Sequence, residues 1–473
     1  MGRLRIHLGP VAGRERRDNL LTTLATTWRT LRDNFSPLRY PNFRFYFGGQ
    51  TVSLIGTFLQ VTAQAWVVWQ LTHSEAALGI VGMLNALPLL LFSPYAGIWV
   101  DRLDRRKLLI ATQVAAMLLA FVLAVLTQAG LVQIWHLYVL SFLLGTVNAL
   151  DLPAQQAFLG DLTGMAEVRQ AVNLNVMIVQ VSRILGPALA GPLVARIGVA
   201  PAFWLNGVSF LAVIASLIVV RAAQQQARPR AGTGQLKQIV EAVAYLRGDP
   251  RMVDVFLLAI LQTVFVFSIL INFMPAVAST LLNGNAETLG LLMAASGLGA
   301  LLAVVAIIPW AQARQRSGGI MLAAQFWLAF WLTLFAHARI AGLSMTALFM
   351  ISVGATMVLT MTMGLVQLMS PPAMRGRLLS LFIVTTIGAQ PLAALWIGQL
   401  GQRMGVETAI QANAILLALA AGLMLMSRPA IWHYEFGRSP AVQPVPADGN
   451  AEGGPRLPDR TADAAQADLA TRP

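Results

Sequence analysis

The chain reads as an all-α integral membrane protein of twelve crossing helices, arranged as two pseudo-symmetric bundles of six. Three observations predict this. Twelve apolar stretches come close to or exceed the roughly 20 residues that span a bilayer. Charged residues make up only 11% of the 473, against about 25% in a soluble domain, and mean hydropathy is +0.66. The longest polar interval, Arg221–Arg251, follows the sixth stretch and divides the chain six plus six.

Residues 1–40 form a basic segment without the apolar core of a cleavable signal peptide. Within it Leu20, Leu21, Leu24, Trp28 and Leu31 fall at helical spacing, flanked by Arg29 and Arg32. This predicts an amphipathic helix, either lying on the inner membrane surface or docked on the protein. The first six spans are Phe43–Leu71, Leu78–Val100, Leu108–Thr127, Ile134–Phe158, Ala171–Ala195 and Ala200–Val220, forming a bundle over 41–221. A linker, 222–251, holds a short helix at Leu236–Leu246. The second bundle, 252–427, contains Val253–Leu282, Thr288–Trp310, Ile320–Ala336, Leu343–Met369, Leu378–Leu400 and Ala409–Met426. Residues 428–473 form a tail; from Ser439 it is rich in Pro, Ala, Asp and Gly and reads as disordered.

Charge sets the expected orientation. The even-to-odd loops carry Arg102, Arg105, Arg106 and Lys107; Arg169; the arginines of 221–251; Arg314 and Arg316; Arg375 and Arg377. The opposite loops hold only Arg196, Arg339 and Arg403. Basic loops stay inside, which places both termini in the cytoplasm of a bacterial inner membrane. An internal repeat supports the division. Arg196, Gly198 and Val199 recur as Arg403, Gly405 and Val406 at an offset of 207; Gly191 and Asn206 recur as Gly398 and Asn413.

Composition also excludes function classes. There are no cysteines, and the five histidines are scattered without metal-ligand spacing. The two lysines, Lys107 and Lys237, do not follow glycine, so there is no phosphate loop and no ATP-driven pump. No nucleophile and base are paired, so an enzyme is not expected, and no cofactor is implied. The net charge of +13 is explained by topology rather than by nucleic-acid binding.

Gly97–Lys107, GIWVDRLDRRK, is a charge-dense turn between the second and third spans. A stop signal in any inner loop explains its cations, but not Gly97 four residues before Asp101, nor the Asp–Arg pairs. The residues Gly97, Asp101, Arg102, Arg105, Arg106 and Lys107 resemble the signature loop of the major facilitator superfamily, with Asp104 replacing a glycine. The resemblance implies the major facilitator fold. It also implies a latch in which Asp101 sits at the inner end of a helix in the second half and Arg105 pairs with nearby acids.

Asp151 and Arg183 are the charged residues inside the spans that call for an explanation. Asp151, in the fourth span, is about 7 residues from the inner end, roughly 10 Å deep. Two readings are open: it accepts from Arg105 or Arg102 in the latch, or it couples transport to protons or substrate. For Arg183 the expected partner is Asp151, either in a pair that opens for a proton or an anionic substrate, or in a permanent one. Gly186, Pro187 and Gly191 resemble the fifth-helix motif of exporters in the superfamily, implying antiport, although a plain packing surface needs the same residues. The strings ALDLPAQQAFLGDL, QAVNLN, SRILGPALAG and FWLNGVSFLAV resemble the enterobactin-exporter and macrolide-efflux-like branch.

By the same resemblance, helices 1, 4, 7 and 10 line a central cavity. Its candidate lining is Gln60, Gln64, Asn148, Gln262, Asn272, Met357 and Met361; the alternative for the methionines is ordinary packing. The expected function is a proton-coupled secondary exporter of small amphipathic molecules (drug, macrolide or siderophore-like) by alternating access. Its partners are a small-molecule substrate, protons and the lipid bilayer, with no nucleic acid, and the protein is a monomer. Metabolite uptake or lipid movement on the same fold is the alternative, and a membrane receptor or scaffold is a third.

Overall fold

The computed structural model describes residues 35–164, 167–220, 235–312, 317–371 and 374–433. The amphipathic helix expected over Leu20–Leu31 and the tail from Ser439 lie outside the described residues. Twelve helices among the described residues are long and apolar enough to cross a membrane. In the first half they are α1 (Pro41–Thr72), α2 (Glu75–Arg102), α3 (Arg105–Gln128), α4 (Ile134–Thr163), α5 (Val168–Ile197) and α6 (Ala200–Val219). The second half holds α7 (Pro250–Asn272), α8 (Ala286–Gln312), α9 (Ser317–His337), α10 (Ala341–Met369), α11 (Arg375–Met404) and α12 (Val406–Ser427). A linker helix, Gln235–Gly248, precedes α7.

The turns between helices are closed by side chains that satisfy the free N–H groups of the first helical turn. Ser74 accepts from Ala77 N at 3.2 Å to start α2, and Asn285 accepts from Glu287 N and Thr288 N to start α8. Asp249 accepts from Arg251 N, with Pro250 in the first turn of α7. The internal repeat is expressed as a matched helix break. α5 ends on Gly198 at φ 86° and α11 on Gly405 at φ 81°, left-handed positions that glycine adopts without steric cost. Among the described residues, three π turns interrupt the second half, at Thr263–Phe267, Val277–Leu281 and Ala303–Ile307.

The bundle has an arginine-rich end, carrying the turn after α2, and an opposite end. At the opposite end one buried apolar cluster joins both halves, with Trp66, Leu137 and Phe203 alongside Phe273, Leu289 and Phe335. Toward the arginine-rich end the described residues form two separate clusters. One, around Tyr46, Leu109 and Phe158, belongs to the first half; the other, around Phe256, Met361 and Phe382, belongs to the second. Among the described residues the halves are therefore sealed at the opposite end and parted toward the arginine-rich end.

Two seams make the seal. A Cβ built on Gly79 (α2) would lie 2.4 Å from the Ala394 carbonyl oxygen and one on Gly398 (α11) 3.1 Å from the Gly79 Cα. In the second seam, a Cβ on Gly290 (α8) would lie 2.6 Å from the Pro187 carbonyl oxygen and 2.8 Å from the Gly191 Cα (α5). In lipid, helices associate through close packing rather than through exclusion of water, and small residues permit that approach.

Candidate functional site

The turn after α2 is built from its charges. Asp104 caps α3, accepting from Lys107 N at 3.1 Å, which accounts for an aspartate where the signature has glycine. Arg105, buried, donates through Nη1 to both carboxylate oxygens of Asp161 on α4, at 2.8 and 3.0 Å. Arg106 donates to the Leu217 and Ile218 carbonyls at 2.6 and 2.5 Å, placing a cation on the C-terminus of α6. Arg102 is exposed. Gly97 and Asp101 belong to the last turns of α2, but their side chains lie outside the described residues, as does any latch contact of Asp101.

Asp151 does not take part in that turn. The α4 helix continues five residues past the expected end, through Pro153, to Thr163. Asp151 therefore lies 12 residues from the helix end, about 18 Å along the axis. Arg105 meets Asp161 instead, which corrects the latch reading of Asp151. The Asp151 carboxylate is buried among uncharged donors on α3 and α4. Thr112 Oγ1 lies 2.6 Å from Oδ1, Gln113 Nε2 donates to Oδ1 at 3.0 Å and Gln155 Nε2 donates to Oδ2 at 2.5 Å. Gln50 on α1 donates to Gln155 at 3.4 Å, extending the network to a third helix.

The Thr112 hydroxyl also sits 2.9 Å from the Leu109 carbonyl oxygen. One hydroxyl hydrogen serves one strong acceptor at a time. With Asp151 ionised, Thr112 gives it the hydrogen. With Asp151 protonated, the carboxyl donates to Thr112, and Thr112 donates to Leu109. The network thus has partners for either protonation state, as a buried polar group requires.

The expected pair between Asp151 and Arg183 is absent from this structure. No ion pair joins Arg183 to a described carboxylate, and both Asp151 oxygens are occupied. The reason is azimuth. The Asp151 side of α4 packs on α3, whereas Arg183 leaves α5 beside α1, its guanidinium 5.8 Å from the Phe58 ring centroid. Gly186 packs against Phe58 and Leu59 of α1, while Pro187 and Gly191 meet Gly290 of α8. The motif at Gly186, Pro187 and Gly191 is therefore a packing surface toward two helices.

A cavity of about 250 Å³ lies between the halves, lined from α1, α2, α3, α4, α6, α7 and α11. Gln60, Gln64 and Asn272 line it. Sequence reasoning missed its other amides, Asn85, Asn206 and Gln390, and the hydroxyls of Ser141, Thr263 and Ser268. Gln64 donates to Ser141 at 2.8 Å and Asn206 to Gln60 at 2.8 Å, tying α1 to α4 and α6. No charged residue lines the cavity among the described residues.

Four expected lining residues lie elsewhere. Gln262 is fully buried and donates to the Ala355 carbonyl of α10. Met357 and Met361 pack in the apolar cluster of the second half, the ordinary packing alternative. Asn148 is half-buried on α4, apart from the cavity wall. Asn85 and Gln390 escape a sequence reading because the resemblance assigns the lining to helices 1, 4, 7 and 10, whereas they belong to α2 and α11.

The transmembrane secretion effector family matches residues 32–444. An uncharacterized MFS-type transporter, YfiS, of Bacillus subtilis is 29% identical over 54% of this chain and 60% of its own length. The staphyloferrin A transporter of Staphylococcus aureus is 26% identical over 56% of this chain and 66% of its own. The matches to these two relatives thus span about three fifths to two thirds of their length. The enterobactin exporter EntS of Escherichia coli K12 is 25% identical over 85% of this chain and 95% of its own length. Among solved structures, the nucleoside transporter NupG superposes with a TM-score of 0.67 at 14% identity, covering 84% of this chain and 100% of that one. A bacterial homolog of the human lysosomal transporter Spinster, inward-facing and unoccupied, gives 0.66 at 12% identity, over 83% and 98%. These two likenesses concern the fold.

Proposed function

Because the chain belongs to the transmembrane secretion effector family of the major facilitator superfamily, whose members are membrane transporters and not enzymes, we propose that it is a proton-coupled secondary exporter of small amphipathic molecules. It works by alternating access, in a bacterial inner membrane, with the arginine-rich end in the cytoplasm. Residues 41–221 and 252–427 are the two moving units.

The observation that carries the coupling claim is Asp151. It is a buried intramembrane carboxylate with no cation on it among the described residues and a hydrogen-bond network that suits both protonation states. An ionised carboxylate at that depth is costly, so its charge state responds to what the surrounding helices do. The network spans α1, α3 and α4, so a shift of α1 during alternating access changes the stability of the charge. The opening toward the arginine-rich end supports loading from the cytoplasm. The match to an enterobactin exporter over 85% of this chain supports the outward direction.

The test is flux in proteoliposomes of the purified protein under an imposed pH gradient. Movement of an amphipathic dye against its gradient, opposite to the proton flow, is the expected result. Flux indifferent to the pH gradient removes the coupling claim. Flux in the same direction as the protons assigns uptake instead.

A further inference from the structure

We propose that Arg183 receives an acidic group of the carried molecule, so that the transported class is amphipathic carboxylates rather than cations. This rests on the transport reading above and names the substrate class for it.

The placement of Arg183 is set by the contacts of its neighbours. On α5, Gly186 faces α1 through Phe58 and Leu59, while Ile184, Pro187 and Gly191 face α8 through Gly297 and Gly290. At about 100° per residue, position 183 falls roughly 60° round from Gly186 and 40° from Pro187. Its side chain therefore enters the space bounded by α1, α5 and α8, away from lipid. The exposed Val181, Leu185 and Leu189 occupy the other side of α5.

The same sector changes character along the helix. Toward the opposite end Pro187, Ala190 and Val194 are buried in the seal. Toward the arginine-rich end Arg183 and Val176 are exposed. Arg183 is thus the first side chain beneath the seal, at the head of the opening.

A guanidinium at this depth stays charged and is met by water in the opening or by an anion. Among the described residues none pairs with it, and both Asp151 oxygens are bonded elsewhere. The Phe58 ring beside it offers a weak cation–π contact and leaves the donor fork available for two parallel bonds to a carboxylate. The adjacent residue, Thr57, lines the uncharged amide cavity, which suits the neutral remainder of such a molecule. A cationic substrate meets like charge at the same point and is disfavoured.

The experiment uses two xanthene dyes that differ by one methyl ester: rhodamine 110, which carries a free carboxyl, and rhodamine 123, its methyl ester. Binding to the full-length protein in lipid nanodiscs is read by fluorescence polarisation. The expected result is about tenfold tighter binding of the free carboxyl form. R183Q removes that preference, weakening binding of the free carboxyl form and strengthening that of the cationic ester. R183K keeps the charge but not the fork, retains part of the preference, and serves where R183Q folds poorly. Equal binding of the two dyes by the wild type, or a preference that survives R183Q, overturns the proposal while the transport reading stands. Binding of neither dye overturns both this proposal and the amphipathic substrate class.

Discussion

A Cβ on Gly290 would lie 2.8 Å from the Cα of Gly191, and the repeat places Gly79 against Gly398 in the same relation on the other side of the bundle. Both contacts are backbone to backbone, so no rotamer change makes room for a side chain. G290V is expected to part the α5–α8 seam and to shift the protein away from the state sealed at the opposite end. The chain has no cysteine, so a single M293C beside the seam reports directly. Its labelling rate rises several-fold in G290V; an unchanged rate means the seam is not what holds the seal.

The bond from Arg105 to both oxygens of Asp161 joins α3 to α4 beneath the turn. Removing the cation leaves a carboxylate that is mostly buried. R105A should cost about 3 kcal/mol of stability, and D161N less, because an amide can stay in place without a charge. Thermal unfolding of the purified variants measures the difference. Equal loss in both would mean the contact acts through packing alone.

Met357 and Met361 separate packing from lining. Both are buried among Phe256, Leu365 and Phe382. M357A and M361A should each lower stability by about 2–4 kcal/mol and leave the order of dye affinities unaltered. Replacing Gln64 or Asn272 with Leu, inside the cavity, should reorder the affinities with little loss of melting temperature. The reverse pattern would put the methionines on the substrate path.

The twelve spans were legible because crossing a bilayer is a one-dimensional demand on roughly 20 residues. The repeat was legible because a left-handed break selects glycine at both Gly198 and Gly405. Azimuth was not legible. Gln262 and Asn272 lie on one helix, but the π turn at Thr263–Phe267 inserts a residue between them and rotates the remainder of the helix by about 100°. One amide therefore faces α10 and the other the cavity. A sequence reading gives Asp151 a cation because charge is conspicuous in a sequence. Its partners are a threonine and two glutamines whose meeting depends on how α3 and α4 are turned. The true partner of Arg105, Asp161, falls in the polar stretch beyond the apolar run, where a hydropathy reading stops the helix early.

Orientation is checked by the same cysteine-free background. In intact cells, a membrane-impermeant maleimide should label R339C, in the turn before α10, and spare K107C at the arginine-rich end. Labelling of K107C but not R339C would invert the topology and with it the direction of transport.

The central claim is that Asp151 carries the coupled proton, and Asp151→Asn tests it most directly. The amide keeps the size and most hydrogen bonds but cannot ionise. In proteoliposomes the variant should still exchange dye for dye across the membrane while losing the ability to concentrate it under a pH gradient. A D151N protein that concentrates the dye as the wild type does would contradict the account.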